Sequence, residues 1–225
     1  IQALRGPNIW SIRRQKLIQM RLDLEELEER PTDKIDGFRE RLENLLPTLI
    51  EHRCSEGCRG GFFQRVDRGT WMGHVIEHIA LEIQTLAGMD VGFGRTRETK
   101  TPGVYNVVFN YLEEKVGIYA AKAAVKIAEA LIAGEDYDLT DDIQNMKEIR
   151  EDVRLGPSTA SIVDEAVSRD IPFLRLGRNS LIQLGAGVNQ MRFQATITCK
   201  TSNIAVDIAC NKEQTKKMLD DASIP

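Results

Sequence analysis

The sequence predicts an α+β protein in two parts, and three observations carry that prediction. Stretches with helical spacing and stretches that alternate occur along the same 225 residues. A hydrophobic share of 42% is enough to fill one or two ordinary cores. Composition then changes at Leu155-Gly156-Pro157-Ser158, which places a boundary between residues 1–155 and 156–225.

Residues 1–22 read as extended, alternating in part through Trp10, Ile12, Leu17, Ile18 and Met20. A helix follows at 36–46, with Phe38, Leu42, Leu45 and Leu46 at helical spacing and Pro47 as a stop. Residues 51–61 form a loop rich in Gly, Cys and Arg, before a short strand at 62–66. Thr70 is a natural N-cap for a helix running to Ala87, closed by Gly88. Residues 104–112 alternate as a strand, and an alanine-rich helix spans 114–133 up to Gly134. A charged helix covers 141–153. The second part reads as a helix (159–169), three strands (171–176, 181–184 and 192–198) and two short helices.

A net charge of -4 argues against a general nucleic-acid binder, which needs a basic surface. Charge is uneven at the start: Arg5, Arg13, Arg14, Lys16 and Arg21 precede Asp23, Glu25, Glu26, Glu28 and Glu29. Such asymmetry suits an anion-binding strip or a solvated amphipathic face. No apolar run approaches membrane-spanning length, and four cysteines without a leader-like segment suit reduced thiols in the cytoplasm. Ile1 in place of a methionine, and a helix-like segment running straight into Pro225, give both ends the look of a cut.

The densest chemistry lies in His74-Val75-Ile76-Glu77-His78. With His74 at zero on a helical wheel, His78 falls at about 40° and Glu77 at about -60°, one shared face. Met72, Val75, Ile76, Ile79, Ile83 and Leu86 take the opposite side, which should pack on the core. The three residues then form either a solvent-facing polar stripe or a metal site of the H-x-x-E-H kind, with Glu77 as the base. Leu81, in the middle of that face, argues for partial cover.

A zinc site needs a third protein ligand. Glu114, at the start of the alanine-rich helix, is the first candidate, with Glu113 and His52 behind it. Glu82 is a poor one, about 12 Å along the helix from His74. Cys54 and Cys58 lack a second ligand pair at zinc-ribbon spacing. The glycines around Arg59 and the loop at 92–97, with Arg95 and Arg97, can present guanidinium groups to carboxylates or simply make turns.

Several motifs bring a family resemblance: Leu4-Arg5-Gly6-Pro7-Asn8 with Trp10-Ser11, Cys58-Arg59-Gly60-Gly61-Phe62, Gly73-His74-Val75-Ile76-Glu77-His78 and Phe93-Gly94-Arg95-Thr96-Arg97. In the second part, Leu155-Gly156-Pro157-Ser158-Thr159, Gln183-Leu184-Gly185 and Thr201-Ser202 continue it. The chain resembles cyanophycin synthetases over its whole length. Asn211 and Ser223 depart from the usual aspartate and glycine.

The resemblance implies an ATP- and magnesium-dependent ligase that polymerises L-aspartate and L-arginine, homo-oligomeric and in related proteins a tetramer. It implies that residues 1–155 hold the polymer. It further implies that residues 156–225 are the leading α/β subdomain of an ATP-grasp fold, one wall of the ligase site. In some members the first domain carries a metallopeptidase-like site that cuts polymer into primers, which corresponds here to His74, Glu77 and His78. Arg59, Arg95 and Arg97 are candidates for carboxylate contacts, and Ser202 for an anion contact at a helix start. No phosphate-binding G-x-x-x-x-G-K-[ST] loop is present. A bifunctional glutathione synthetase would fit residues 156–225, but residues 1–110 argue against it.

Overall fold

The computed structural model describes residues 1–12, 15–177 and 179–224, so Arg13 and Arg14 of the basic run lie outside the described residues. The chain divides into two compact units, Ile1–Val153 and Arg154–Pro225. Helices and antiparallel sheets occur in both, an α+β architecture.

The first unit runs β1 (Gln2–Leu4), β2 (Leu17–Asp23), α1 (Phe38–Leu45), α2 (Gly61–Arg68) and α3 (Met72–Leu86). It continues with β3 (Gly94–Glu98), β4 (Val104–Asn110), α4 (Glu114–Ala133) and α5 (Thr140–Val153). Its sheet is antiparallel in the order β1-β2-β4-β3, which leaves β3 at an edge. Strands β2 and β4 pair along their full length, from Leu17 opposite Asn110 to Asp23 opposite Val104.

The period of two sorts their side chains between the faces. Ile18, Met20, Val107 and Phe109 join the main core, whereas Leu17 and Val108 pack with Trp10 on the other side. Helix α3 lies against α4 and against the sheet. Ala120, Ala121, Ala123, Ala124 and Ala128 of α4 are buried, and side chains this small let a neighbouring helix approach closely. Burying a large side chain such as Ile79, Ile83 or Phe38 contributes about 1.5–3 kcal/mol.

The second unit holds α6 (Pro157–Ser168), β5 (Phe173–Arg175), β6 (Leu181–Leu184), β7 (Met191–Gln194), β8 (Ile197–Thr198), α7 (Asn203–Cys210) and α8 (Lys212–Asp221). The four strands make an antiparallel meander in chain order. Val163, Ile182 and Phe193 form its small core, with Leu155, Phe173 and Leu184 against it.

Four local expectations change. Residues 62–66 are helical, within α2, because Phe62, Phe63 and Val66 all bury on one helical face, a spacing no strand provides. The loop expected at 92–97 contains β3, whose exposed Arg95 and Arg97 alternate with half-buried Thr96. The strand expected at 192–198 is two strands joined by a turn at Ala195, whose φ is +52°. Thr70 does not cap α3, where Trp71 is the N-cap residue without a side-chain cap bond.

Candidate functional site

Helix α3 is buried almost all round, so its polar face is no solvent stripe. Met72, Val75, Ile76, Ile79 and Ile83 enter the main core as expected, whereas Leu86, expected with them, is exposed near the end of the helix. Yet Glu77 and His78 on the other face are only 5% and 7% exposed, and Leu81 is 4% exposed. That face meets a cavity of about 890 Å³, walled also by the segment from Thr48 to Ser55 and by Gly94, Arg95 and Thr96 of β3. A buried polar face must find its partners inside the protein.

It finds them in a connected set. The Nδ1 of His74 lies 3.1 Å from the Thr70 hydroxyl, and its Nε2 lies 3.2 Å from Cys54 Sγ. His78 Nδ1 is 2.8 Å from His52 Nδ1, and His52 Nε2 is 2.7 Å from Glu82 Oε2. Phe62 stacks on the His78 ring with centroids 4.1 Å apart. Glu77 Oε2 accepts a 2.7 Å hydrogen bond from the Thr96 hydroxyl. A Cβ on Gly94 would come within 2.2 Å of Glu77 Oε1, so only glycine lets the carboxylate lie against this strand.

Cys54 reaches the set from a backbone in the left-handed region, with φ of +52°. A non-glycine residue held there costs about 1–2 kcal/mol. Ligand atoms of Cys54, His74 and His78 all lie within 4.8 Å of one another. One thiolate and two imidazoles suit a four-coordinate zinc with a position left open. Both histidines favour the neutral form that binds metal. Burial and the charge of Arg65 bring His74 down to about 4. Burial, with His74, His52 and Arg65, holds His78 well below 6.5.

Burial pushes Glu77 up to about 7, against the opposing hydrogen bond from Thr96. Burial also pushes Glu82 upward, but hydrogen bonds from His52 and Thr48 outweigh it and keep its carboxyl below the ordinary 4.5.

The residues expected to act together are brought together only in part. His74, Glu77 and His78 share the cavity. Glu114 does not join them: its carboxylate takes a two-pronged bond from Arg5, at 2.5 and 2.6 Å, and a hydroxyl contact from Tyr111. Neither Glu114 nor Glu113 lines the cavity, and Cys54 stands where the third ligand was sought. Cys54 and Cys58 share no site, since Cys58 is exposed and contacts Gln64.

Among the arginines, Arg95 lines the cavity, with Arg53 and Arg65, which the sequence did not single out. Arg59 is exposed and pairs with Glu51, while Arg97 is exposed on β3, outside the cavity wall. Ser202 is the exposed N-cap residue of α7 and makes no side-chain cap bond. His52 is in the site, but next to His78 rather than in the three-atom cluster.

A family model described as the cyanophycin synthase-like N-terminal domain matches residues 19–133. That stretch runs from within β2 to the end of α4 and so carries the entire cavity wall. The chain belongs to this family. It is 54% identical over 227 aligned residues to a cyanophycin synthetase of Geminocystis herdmanii, covering 100% of this chain and 26% of that protein. The cyanophycin synthetases of Synechocystis sp. and Trichormus variabilis are 53% and 55% identical, over 99% and 100% of this chain. The chain thus spans about a quarter of the length of these relatives. No helix among the described residues is long and apolar enough to cross a membrane.

Proposed function

We propose that this chain is the N-terminal part of an ATP-dependent ligase that polymerises L-aspartate and L-arginine, and that its first unit binds the polymer. Family membership and relatives named cyanophycin synthetase support the synthetic role. The cavity supports the binding role. Its walls carry Arg53, Arg65 and Arg95 for the polymer's carboxylates, and Glu51 for its guanidinium groups. Residues 156–225 then begin the ATP-grasp region, with ATP and magnesium held mostly by segments beyond this chain and Ser202 offering an anion contact. The assembly is a cytoplasmic homo-oligomer.

One observation favours a second activity inside the first unit: Cys54, His74 and His78 converge beside Glu77 in that same cavity. We infer a zinc-dependent peptidase site that shortens the polymer. Zinc held by these three residues would supply Lewis acidity toward a carbonyl and water. Glu77 takes a proton from the attacking water as its oxygen bonds to the scissile carbonyl carbon. The C–N bond breaks, and the carboxyl proton passes to the departing amine nitrogen, which restores the carboxylate. Thr96 orients Glu77 through its hydroxyl. The cavity wall limits bulk water.

Incubation of the chain with cyanophycin and zinc is the test. Chain shortening is expected, lost in Glu77→Gln by roughly 10²–10⁴-fold, the usual worth of a general base. Shortening that persists in Glu77→Gln removes Glu77 from this role. A polymer that stays intact with the zinc-loaded wild type removes the peptidase reading and leaves the binding role to be measured by co-sedimentation.

A further inference from the structure

Beyond the three residues that converge on one point, a second layer of the site runs outward from His78. It passes through His52 to Glu82, a residue poorly placed on α3 to be a ligand itself. Neither bond is an incidental surface contact. Glu82 is 3% exposed and His78 is 7% exposed, and Phe62 fixes the plane of the His78 ring by stacking on it.

The donors along this chain run one way. A carboxylate is acceptor-only, so the 2.7 Å contact requires a proton on His52 Nε2. Glu82 is kept ionised by that hydrogen bond and by Thr48. A neutral His52 protonated at Nε2 has a lone pair at Nδ1. That lone pair faces His78 Nδ1 at 2.8 Å, and a contact so short requires one hydrogen between the two nitrogens. The hydrogen then belongs to His78 Nδ1, and the lone pair of His78 is left at Nε2. The opposite sense needs a doubly protonated His52, a further positive charge in a cavity already walled by Arg53 and Arg65.

We propose that Glu82 and His52 are positioning residues that hold His78 as its Nδ1–H tautomer and so present its Nε2 to a divalent cation shared with Cys54 and His74. His74 has the matching arrangement in shorter form, since its Nδ1 is engaged by Thr70 and its Nε2 faces Cys54. Ring nitrogens that ligate metals ordinarily depend on such outer partners to fix the tautomer and to raise basicity. Here a histidine carries the carboxylate's influence one ring further. The inference rests on the metal-site reading above.

The chain has three histidines, so histidine-selective nitrogen labelling resolves every ring by NMR. In the intact, chelator-treated wild type, the expected His78 signal is that of the Nδ1–H tautomer. A His78 protonated at Nε2 overturns the proposal without any variant. Zinc titration then compares the wild type with His52→Phe, which keeps a ring but cannot accept, and with Glu82→Gln, which keeps the acceptor but not the charge. Zinc Kd should rise by roughly 10–100-fold in His52→Phe and by about tenfold in Glu82→Gln. Thermal denaturation of each variant checks that the fold is retained. Wild-type affinity in both folded variants overturns the proposal while the metal site stands. A wild type that takes up no zinc brings down the metal-site reading itself, and the tautomer measurement separates that failure from this one.

Discussion

Glu77 and Glu114 sit in the same unit, 37 positions apart in the sequence, and end as opposites. Glu114 opens α4 near solvent, gripped by the exposed guanidinium of Arg5, and its carboxyl is held below the ordinary value chiefly by that hydrogen bond. Glu77 lies buried in a cavity wall with the Thr96 hydroxyl for a partner, and burial lifts it to about 7. A charged partner in water makes a carboxylate a stable anion. A buried position without one makes it a proton carrier near neutral pH. Position relative to solvent, more than residue type, decides which of the two is reactive.

The sharpest way to break this contrast is the pH dependence of stability. Glu77 binds a proton more tightly folded than unfolded, so the metal-free protein should lose stability as pH rises from 4.5 toward about 7. The buried histidines are lowered and act in the other direction, so the comparison must be made against Glu77→Gln. Between pH 5 and pH 8 the gap between the two proteins should shift by about 2–3 kcal/mol in favour of the variant. Urea unfolding at both values measures it, and a constant gap would refute the buried-acid account.

A smaller effect is expected at the strand that Glu77 touches. Gly94→Ala should cost about 1–3 kcal/mol through overpacking and should push the carboxylate off the Thr96 hydroxyl. Denaturant unfolding measures the cost, and an unchanged midpoint would mean that the strand edge yields freely.

The least effect belongs to the exposed pair. Arg5→Ala should lower stability only slightly, the smallest change of the three, because solvent screens an exposed pair. Because the Glu114 carboxyl is lowered when folded, that small loss should be present above the unfolded carboxylate range and vanish as pH falls through the folded value. A larger loss, or one that grows in acid, would place the pair among the buried groups.

Long, strongly periodic segments were readable in the sequence. The helix expected at 114–133 is α4, and the helices expected from Thr70 and at 141–153 correspond to α3 and α5. Short segments were not. Phe62-Phe63 reads as a strand until the burial of Val66 one turn later is known. Arg95 and Arg97 read as loop chemistry because this edge strand exposes both of them on one face.

The candidate site was legible where it is local. His74, Glu77 and His78 share a helix, so spacing alone puts them on one face. Cys54, His52 and Thr96 reach them across 18 or more residues of chain, through a left-handed cysteine and a strand crossing that no spacing rule contains. The assignment of Glu114 followed a rule sound in itself, that a third ligand comes from another element. It failed because Arg5 and Tyr111 hold that carboxylate elsewhere. Wheel arithmetic placed the polar face correctly opposite the core but could not foresee that a second wall would close over it.

That second wall includes an edge strand. Among the described residues β3 pairs with β4 alone, and Gly94, at its first position, lies directly on Glu77. Edge strands detach from a sheet at far lower free energy than its centre does. Each brief detachment of β3 would lift Gly94 and the Thr96 hydroxyl off Glu77. The orientation of this buried acid therefore lasts only while one five-residue strand stays docked, and amide exchange at Arg95 and Arg97, in register with Val108 and Asn106, serves as its clock.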